Sequence, residues 1–284
     1  MRIKRLSQGR PIDEHDRATD GEGRTALVTG ASSGIGRCMA ELLAAKGFDV
    51  VVLARRAVRL NALAAELKER WDSNGYPLVA DLSRAAGPAD IAAELDAKGH
   101  RIDFLVNNAG TAQKGRFDEF AWEEHEQRIR VMGLSTLELT HRLLPGMVDR
   151  GWGRIVNVTS LASLFVATPS ETIYSGVKAM VLRFSETIDA EFREAGIRCT
   201  ASLPGATDTE IFSEANGFDG VREDRMLSAL MMSPTAVARQ AYDAVMAGRP
   251  MIVHGAHHKA MAAALQHAPL PVRRRMALTI MAHS

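Results

Sequence analysis

Residues 24–36 read Arg24-Thr25-Ala26-Leu27-Val28-Thr29-Gly30-Ala31-Ser32-Ser33-Gly34-Ile35-Gly36. The apolar run Ala26-Leu27-Val28 meets a turn carrying Gly30, Gly34 and Gly36. Ile35, Met39, Leu42 and Leu43 then recur at helical spacing, which predicts strand, turn and helix. A helix that starts on such a turn aims free backbone N–H groups at whatever lies over it. Its macrodipole is positive at that end and glycine has no Cβ to hold a guest away, so the favoured guest is an anion such as a dinucleotide pyrophosphate. The spacing is GxxxGxG rather than GxGxxG. Glycines also serve ordinary turns, so the rest of the chain must decide between phosphate binding and simple chain reversal.

With 284 residues, 46% of them hydrophobic, the chain is long enough for one α/β domain with a full core and too short for two. A formal net charge of +1 supplies no overall field to gather nucleic acid. No nucleic-acid partner is expected, and a charged ligand must meet a local cluster. Cys38 and Cys199 fall in an expected helix and an expected strand with no CxxC, which points to buried thiols in a reducing compartment and to neither a metal nor a disulfide framework. No stretch reaches the apolar length of a membrane span, and Met1-Arg2-Ile3-Lys4-Arg5 leads into polar residues, so a cytoplasmic protein is expected. Residues 1–23 are polar, mixed in charge and aperiodic. They read as a flexible lead-in outside the fold.

Beyond the first helix, which Gly47 ends, the chain alternates. Residues 49–54, 77–80, 102–106, 154–158, 197–203 and 251–253 read as strands. Helical stripes fall on Leu60, Leu63, Ala64 and Leu67, on 91–98, on the long segment 122–149, on 174–195, and on 234–247 behind the Ser233-Pro234 start signal. Strict β-α alternation with continuous apolar strands predicts a single Rossmann-type, doubly wound parallel sheet with helices on both faces. Ligands of such sheets sit at the carboxyl ends of the strands.

Tyr174 and Lys178 lie four apart on one helix face. A free tyrosine, with a pKa near ~10, is too weak an acid at neutral pH, and an adjacent ammonium favours its phenolate. Tyr174 can then act as general acid in ketone reduction and general base in alcohol oxidation. Taken with residues 29–36, Asn107-Asn108-Ala109-Gly110, Ser160, the run from Tyr174 to Lys178, Pro204-Gly205 and Thr209, the chain resembles the short-chain dehydrogenase/reductase family over residues 24–255. The resemblance implies an enzyme in which Ser160 polarises a substrate carbonyl, Tyr174 transfers the proton, and Lys178 binds the nicotinamide ribose. It further implies cofactor contacts from Gly30, Ser32, Ser33, Gly34, Ile35 and Gly36, from Asp81 and Leu82, from Asn107, Asn108, Ala109 and Gly110, from Tyr174 and Lys178, and from Pro204, Gly205 and Thr209. A small-molecule carbonyl or alcohol substrate and a homodimer or homotetramer are implied with them.

Two departures stand out. The interval from Ser160 to Tyr174 is one residue longer than the family's, which a loop at Thr168-Pro169-Ser170 can absorb, with Ser163 as the fallback serine. Met132 stands where the family has a catalytic asparagine, and a thioether cannot replace the amide that holds a proton-relay water. At the end of the second strand, Ala54-Arg55-Arg56 replaces the acid that NAD enzymes set against the ribose 2′-hydroxyl. No carboxylate repels a 2′-phosphate there and Arg55 can pair with it, so NADP(H) is favoured over NAD(H).

The substrate pocket is expected from residues 163–172 and 206–230, where Phe165, Phe212, Met226, Met231 and Met232 suggest an apolar ligand. Residues 256–284 read as a helical tail in which Val272, Met276 and Ile280 share a stripe behind Arg273-Arg274-Arg275, suited to closing the cleft or a subunit interface more than to a membrane surface. His254, His257 and His258 have no accompanying carboxylate or cysteine, so no metal is expected. The competing reading is a non-catalytic dinucleotide-binding or regulatory protein of the same fold. A sugar-nucleotide epimerase or dehydratase is disfavoured by the GxxxGxG turn.

Overall fold

The computed structural model describes residues 10–111, 114–210 and 231–282. Its sheet consists of β1 (Thr25–Thr29), β2 (Asp49–Ala54), β3 (Gly75–Val79), β4 (Ile102–Asn107), β5 (Gly153–Val158), β6 (Ile197–Leu203) and β7 (Met251–Val253). All pairings are parallel, in the order β3-β2-β1-β4-β5-β6-β7. The helices between and after them are α1 (Gly34–Ala45), α2 (Ala57–Trp71), α3 (Gly87–Ala97), α4 (Trp122–Ile129), α5 (Ser135–Asp149), α6 (Thr172–Phe192), α7 (Pro234–Met246), α8 (Ala256–His267) and α9 (Leu270–Ala282). The chain winds outward from β1 to β3, returns to β4 on the other side of β1, and winds outward again to β7. The carboxyl ends of β1 and β4 therefore border the crevice in which open parallel sheets hold ligands.

The apolar strands divide with period two. Ala26, Val28, Val50, Val52, Phe104 and Val106 pack with Met39 and Leu43 of α1, Leu60 and Leu63 of α2, and Ala241 and Val245 of α7. The alternate residues Leu27, Val51, Leu53, Leu105 and Ile155 face Ile91 and Leu95 of α3, Leu139 and Met147 of α5, and Ile188 of α6. The doubly wound sheet follows, because each strand must bury both sides. At one edge β3 carries Pro77 and an exposed Val79, and at the other β7 is only three residues long. Cys199 is buried and Cys38 half-buried, both as free thiols whose pKa burial raises.

Two segments depart from the sequence reading. The long helical segment 122–149 is broken by a π-turn at Arg130–Leu134, which separates α4 from α5. Residues 10–23 are packed, not a loose lead-in. Ile12 is 2% exposed within the α1/α7 core, and a Cβ on Gly21 would overlap the Phe48 ring. Two of their carboxylates, Asp16 and Asp20, are bonded to the fold. Asp16 accepts from Arg239 at 2.9 and 2.8 Å and from Arg10 at 3.0 and 3.1 Å, Arg239 also donates to the carbonyls of Arg10 and Pro11, and the Tyr242 hydroxyl donates to Asp20 at 2.8 Å.

Burial works to raise the Asp16 pKa, but bonds from Arg239 and the Asp13 N–H, with the charges of Arg239 and Arg10, hold it down to about 2 from the ordinary 3.8. A carboxylate depressed in the folded state contributes stability above pH 3.8 that is lost as pH falls through about 2. Arg239→Met keeps much of the stem and removes the charge, and is expected to lower the unfolding free energy near neutral pH by about 3 kcal/mol. Denaturant melts should show that difference shrinking as pH drops toward 2. A difference constant with pH would mean that Arg239 acts through packing alone.

Candidate active site

At the crevice, Gly30 has φ +66°, and a Cβ there would sit 2.8 Å from Asn108 Nδ2 and 3.0 Å from Ala109 Cα. A Cβ on Gly36 would strike the Gly30 carbonyl at 2.4 Å, and one on Gly34 (φ +55°) would meet Thr209 Cγ2 at 3.0 Å. The turn is thus pressed between the end of β4 and the segment after β6. Ser33, at the N-cap of α1, makes no side-chain capping bond. The first N–H groups of that helix are left for an anion, and the turn is bare of Cβ atoms where a pyrophosphate would lie, so these residues fit a dinucleotide.

Thr29 fastens the turn to the neighbouring strand. Its hydroxyl accepts from the N–H groups of Asn108 (2.9 Å) and Ala109 (3.0 Å) and donates to the Val106 carbonyl (3.2 Å). Asn108 Nδ2 returns to the carbonyls of Thr29 and Gly30. Asn107, expected at the cofactor, turns its amide inward to Asn157 Oδ1 (2.9 Å) and Thr140 Oγ1 (3.2 Å), where it ties β4 to β5 and α5. Asp81 Oδ1 accepts the Ser83 N–H at 2.9 Å, which with a smaller contribution from the Arg55 charge lowers its pKa; Leu82 is buried under α3.

Ser160 caps the short turn Leu161–Leu164 by accepting the Ala162 N–H at 3.1 Å, and it also hydrogen-bonds the Tyr174 side chain. Ser163, the fallback, spends its hydroxyl on the Ser160 carbonyl. The loop 168–170 lies between Ser160 and Tyr174. Ser170 adopts the left-handed φ of +67°, and its carbonyl accepts the Gly115 N–H at 3.1 Å. One turn along α6 from Tyr174, Lys178 is 5% exposed, donates to the Val158 carbonyl at 2.8 Å, and lies 5.8 Å from the centre of the Tyr174 ring. Burial lowers its pKa to about 8. The tyrosine departs from expectation, since burial pushes it up to about 12 against the opposing bond from Ser160. Desolvation of both groups dominates any help the ammonium gives the phenolate.

Met132 lies in the π-turn, 1% exposed and packed on Val177 and Val181 of α6. Its Cγ and Lys178 Nζ are both 3.8 Å from where a Cβ on Gly110 would stand. The thioether side chain and the lysine thus both line the space over Gly110. Ser135, one turn along the chain from Met132, donates to the Val131 carbonyl and lines a surface cavity of about 340 Å³ with Leu82 and His141.

These features recur in known proteins. A family profile described as short chain dehydrogenase matches residues 24–219. The chain belongs to the short-chain dehydrogenase family. It is 32% identical over 215 residues to a short chain dehydrogenase of Pseudocercospora fijiensis, covering 74% of this chain and 68% of that one. It is 34% identical over 190 residues to oxidoreductase UcpA of Escherichia coli K12, covering 66% and 70%. A short-chain dehydrogenase from Sphingobium yanoikuyae, solved with NADPH, superposes with a TM-score of 0.76 at 34% identity over 86% of this chain and 92% of that one. The dehydrogenase is accordingly an NAD(P)-dependent oxidoreductase of CH–OH groups.

The sequence reading missed Arg56. Both arginines are exposed, but Arg56, the residue before α2, reaches back to the glycine turn and donates to Ser32 Oγ at 3.1 and 2.8 Å and to Ser33 Oγ at 3.0 Å. The onset of α2 at Ala57 decides which of the two adjacent arginines faces the turn, and that boundary is hard to place to one residue from sequence. His254 and His258 are bonded within the fold. His254 Nε2 bonds Ser202 Oγ, His258 Nδ1 bonds the His254 carbonyl, and His258 packs on Gly205. Among the described residues no metal-binding cluster occurs, and no helix is long and apolar enough to cross a membrane.

Lys178, held down to about 8, is charged below that pH and neutral above it. Replacing Met132 by asparagine puts an amide beside it, which should raise its pKa toward the ordinary 10.5 and give a relay water an anchor. In the Met132→Asn dehydrogenase, steady-state kcat is expected to rise with single-turnover rates unchanged, and the alkaline fall in activity, set near pH 8 in wild type, should move to higher pH. Stopped-flow and steady-state pH profiles check this; an unmoved profile and unchanged kcat would show the methionine to be inert packing.

Proposed function

We propose that the chain is an NADPH-dependent carbonyl reductase and alcohol dehydrogenase, with Ser160, Tyr174 and Lys178 as its catalytic residues. The observation that carries this reading is the meeting of Ser160, Tyr174 and the buried Lys178 at the carboxyl end of β5, beside the glycine turn. The nicotinamide group, when bound, supplies or accepts the hydride. Ser160 donates a hydrogen bond to the substrate oxygen and Tyr174 gives that oxygen its proton; the reverse direction uses Tyr174 as base. Lys178 holds the nicotinamide ribose and steadies the phenolate left behind. The glycine turn and α1 take the pyrophosphate, with Asn108 and Thr209 beside the turn and Asp81 toward the adenine.

The 2′-phosphate is assigned to Arg56 with Ser32 and Ser33, and Arg55 beside Asp81 gives secondary help. The substrate body is proposed to be apolar, on the strength of Phe165 and of Phe117, Phe120 and Ile173 beside Tyr174. Phe212 and Met226 lie outside the described residues, and Met231 and Met232 are buried. A homodimer or homotetramer in the cytoplasm is proposed, supported by exposed Leu134 and by Met180, which lies over Gly133. Met132 alone favours the rival of a non-catalytic nucleotide-binding protein.

Two experiments test this reading. NADPH should bind more tightly than NADH, with Arg56→Ala removing more of the preference than Arg55→Ala, since a charge-assisted bond is worth roughly 1.5–3 kcal/mol. Equal affinities in wild type refute the cofactor assignment. Tyr174→Phe should abolish turnover on a panel of ketones and retain NADPH binding, whereas Lys178→Ala impairs both. A Tyr174→Phe protein that still turns over, or a wild type that binds NADPH without reducing any ketone, refutes the catalytic assignment.

A further inference from the structure

On the rim of the crevice, side chains from distant parts of the chain meet. Beyond its bonds to Ser32 and Ser33, Arg56 donates through Nη1 to Glu210 Oε2 at 2.9 Å, and Arg59, in the first turn of α2, donates to Glu210 Oε1 at 2.5 Å. Two guanidinium groups thus share one carboxylate, and their hydrogen bonds hold its pKa below the usual value. The position of Glu210 is set by the segment behind it. The Pro204 carbonyl accepts the Leu161 N–H next to Ser160, Ala206 and Asp208 pair with the backbone of Met232, and Thr209 lies against Gly34.

We propose that Glu210 is a specificity-determining residue for the cofactor: its carboxylate occupies the donors of Arg56 and Arg59 that a ribose 2′-phosphate would otherwise receive. The inference rests on the assignment of Arg56 to that phosphate. Carboxylate and phosphate offer a guanidinium the same kind of paired oxygens, so one set of N–H donors cannot serve both. The 2′-phosphate has to displace Glu210 and then stand near its negative charge. A ribose with a free 2′-hydroxyl brings no competing charge. Glu210 therefore weakens NADP(H) binding selectively and narrows the gap between the two cofactors.

The test is calorimetric titration of wild type and E210Q with NADP+ and NAD+ at one ionic strength, repeated with 2′,5′-ADP and 5′-AMP to confine the effect to the phosphate. E210Q should bind NADP+ and 2′,5′-ADP about fivefold more tightly, the scale of two solvent-exposed ion pairs, with NAD+ and 5′-AMP unchanged. No change for the phosphorylated ligands, or an equal change for all four, overturns the proposal. The half-exposed position of Glu210 lets the variant fold, which a thermal melt confirms. A wild type that binds NAD+ as tightly as NADP+ or more tightly refutes the cofactor assignment separately, because selective tightening of NADP+ in E210Q would still establish the role of Glu210.

Discussion

One hydroxyl, that of Thr29, joins the two halves of the sheet where the chain reverses its direction of winding. It takes two N–H groups from the end of β4 and gives its own proton to the same strand. Thr29 itself is 1% exposed, so losing the hydroxyl would take the partner from two partly buried amides at the point where the strands meet. The glycine turn follows Thr29 directly, and Gly30 approaches Asn108 and Ala109 so closely that the turn takes its shape from this contact. The cofactor crevice is in this sense a property of the β1/β4 seam.

Lys178 obeys a second constraint, withdrawal from water. Among the described residues no carboxylate pairs with Lys178. A backbone carbonyl holds it instead, which orients the ammonium without neutralising it. An unneutralised buried charge acts more strongly on a neighbouring oxygen than the same charge in solvent. The cost is visible in its lowered pKa, and Met132 adds to it by lining the same space with a thioether.

Much of this could be read from the chain. The strands were legible because buried parallel strands must be apolar on both faces, and β2, β6 and β7 begin and end where the apolar runs do. The nearness of Tyr174 and Lys178 was legible because the one-turn spacing that brings them together lies within a single helix, α6. What escaped depended on contacts remote in sequence. Asp16 looks like solvated charge until Arg239, more than two hundred residues away, is brought against it. The choice between Arg55 and Arg56 turns on one residue of helix onset. The π-turn at Arg130–Leu134 has helical periodicity on both sides and no glycine or proline signal of its own beyond Gly133.

The two ends of the sheet carry a consequence for behaviour at high concentration. An open parallel sheet presents unpaired backbone on both outermost strands, and such rows invite another chain to add a strand. Pro77 in the middle of β3 has no N–H to offer, and β7 is too short to seed an extended ladder. The molecule is thereby protected against growing sideways into fibrils, and association is steered to helical faces, where side chains rather than backbone choose the partner.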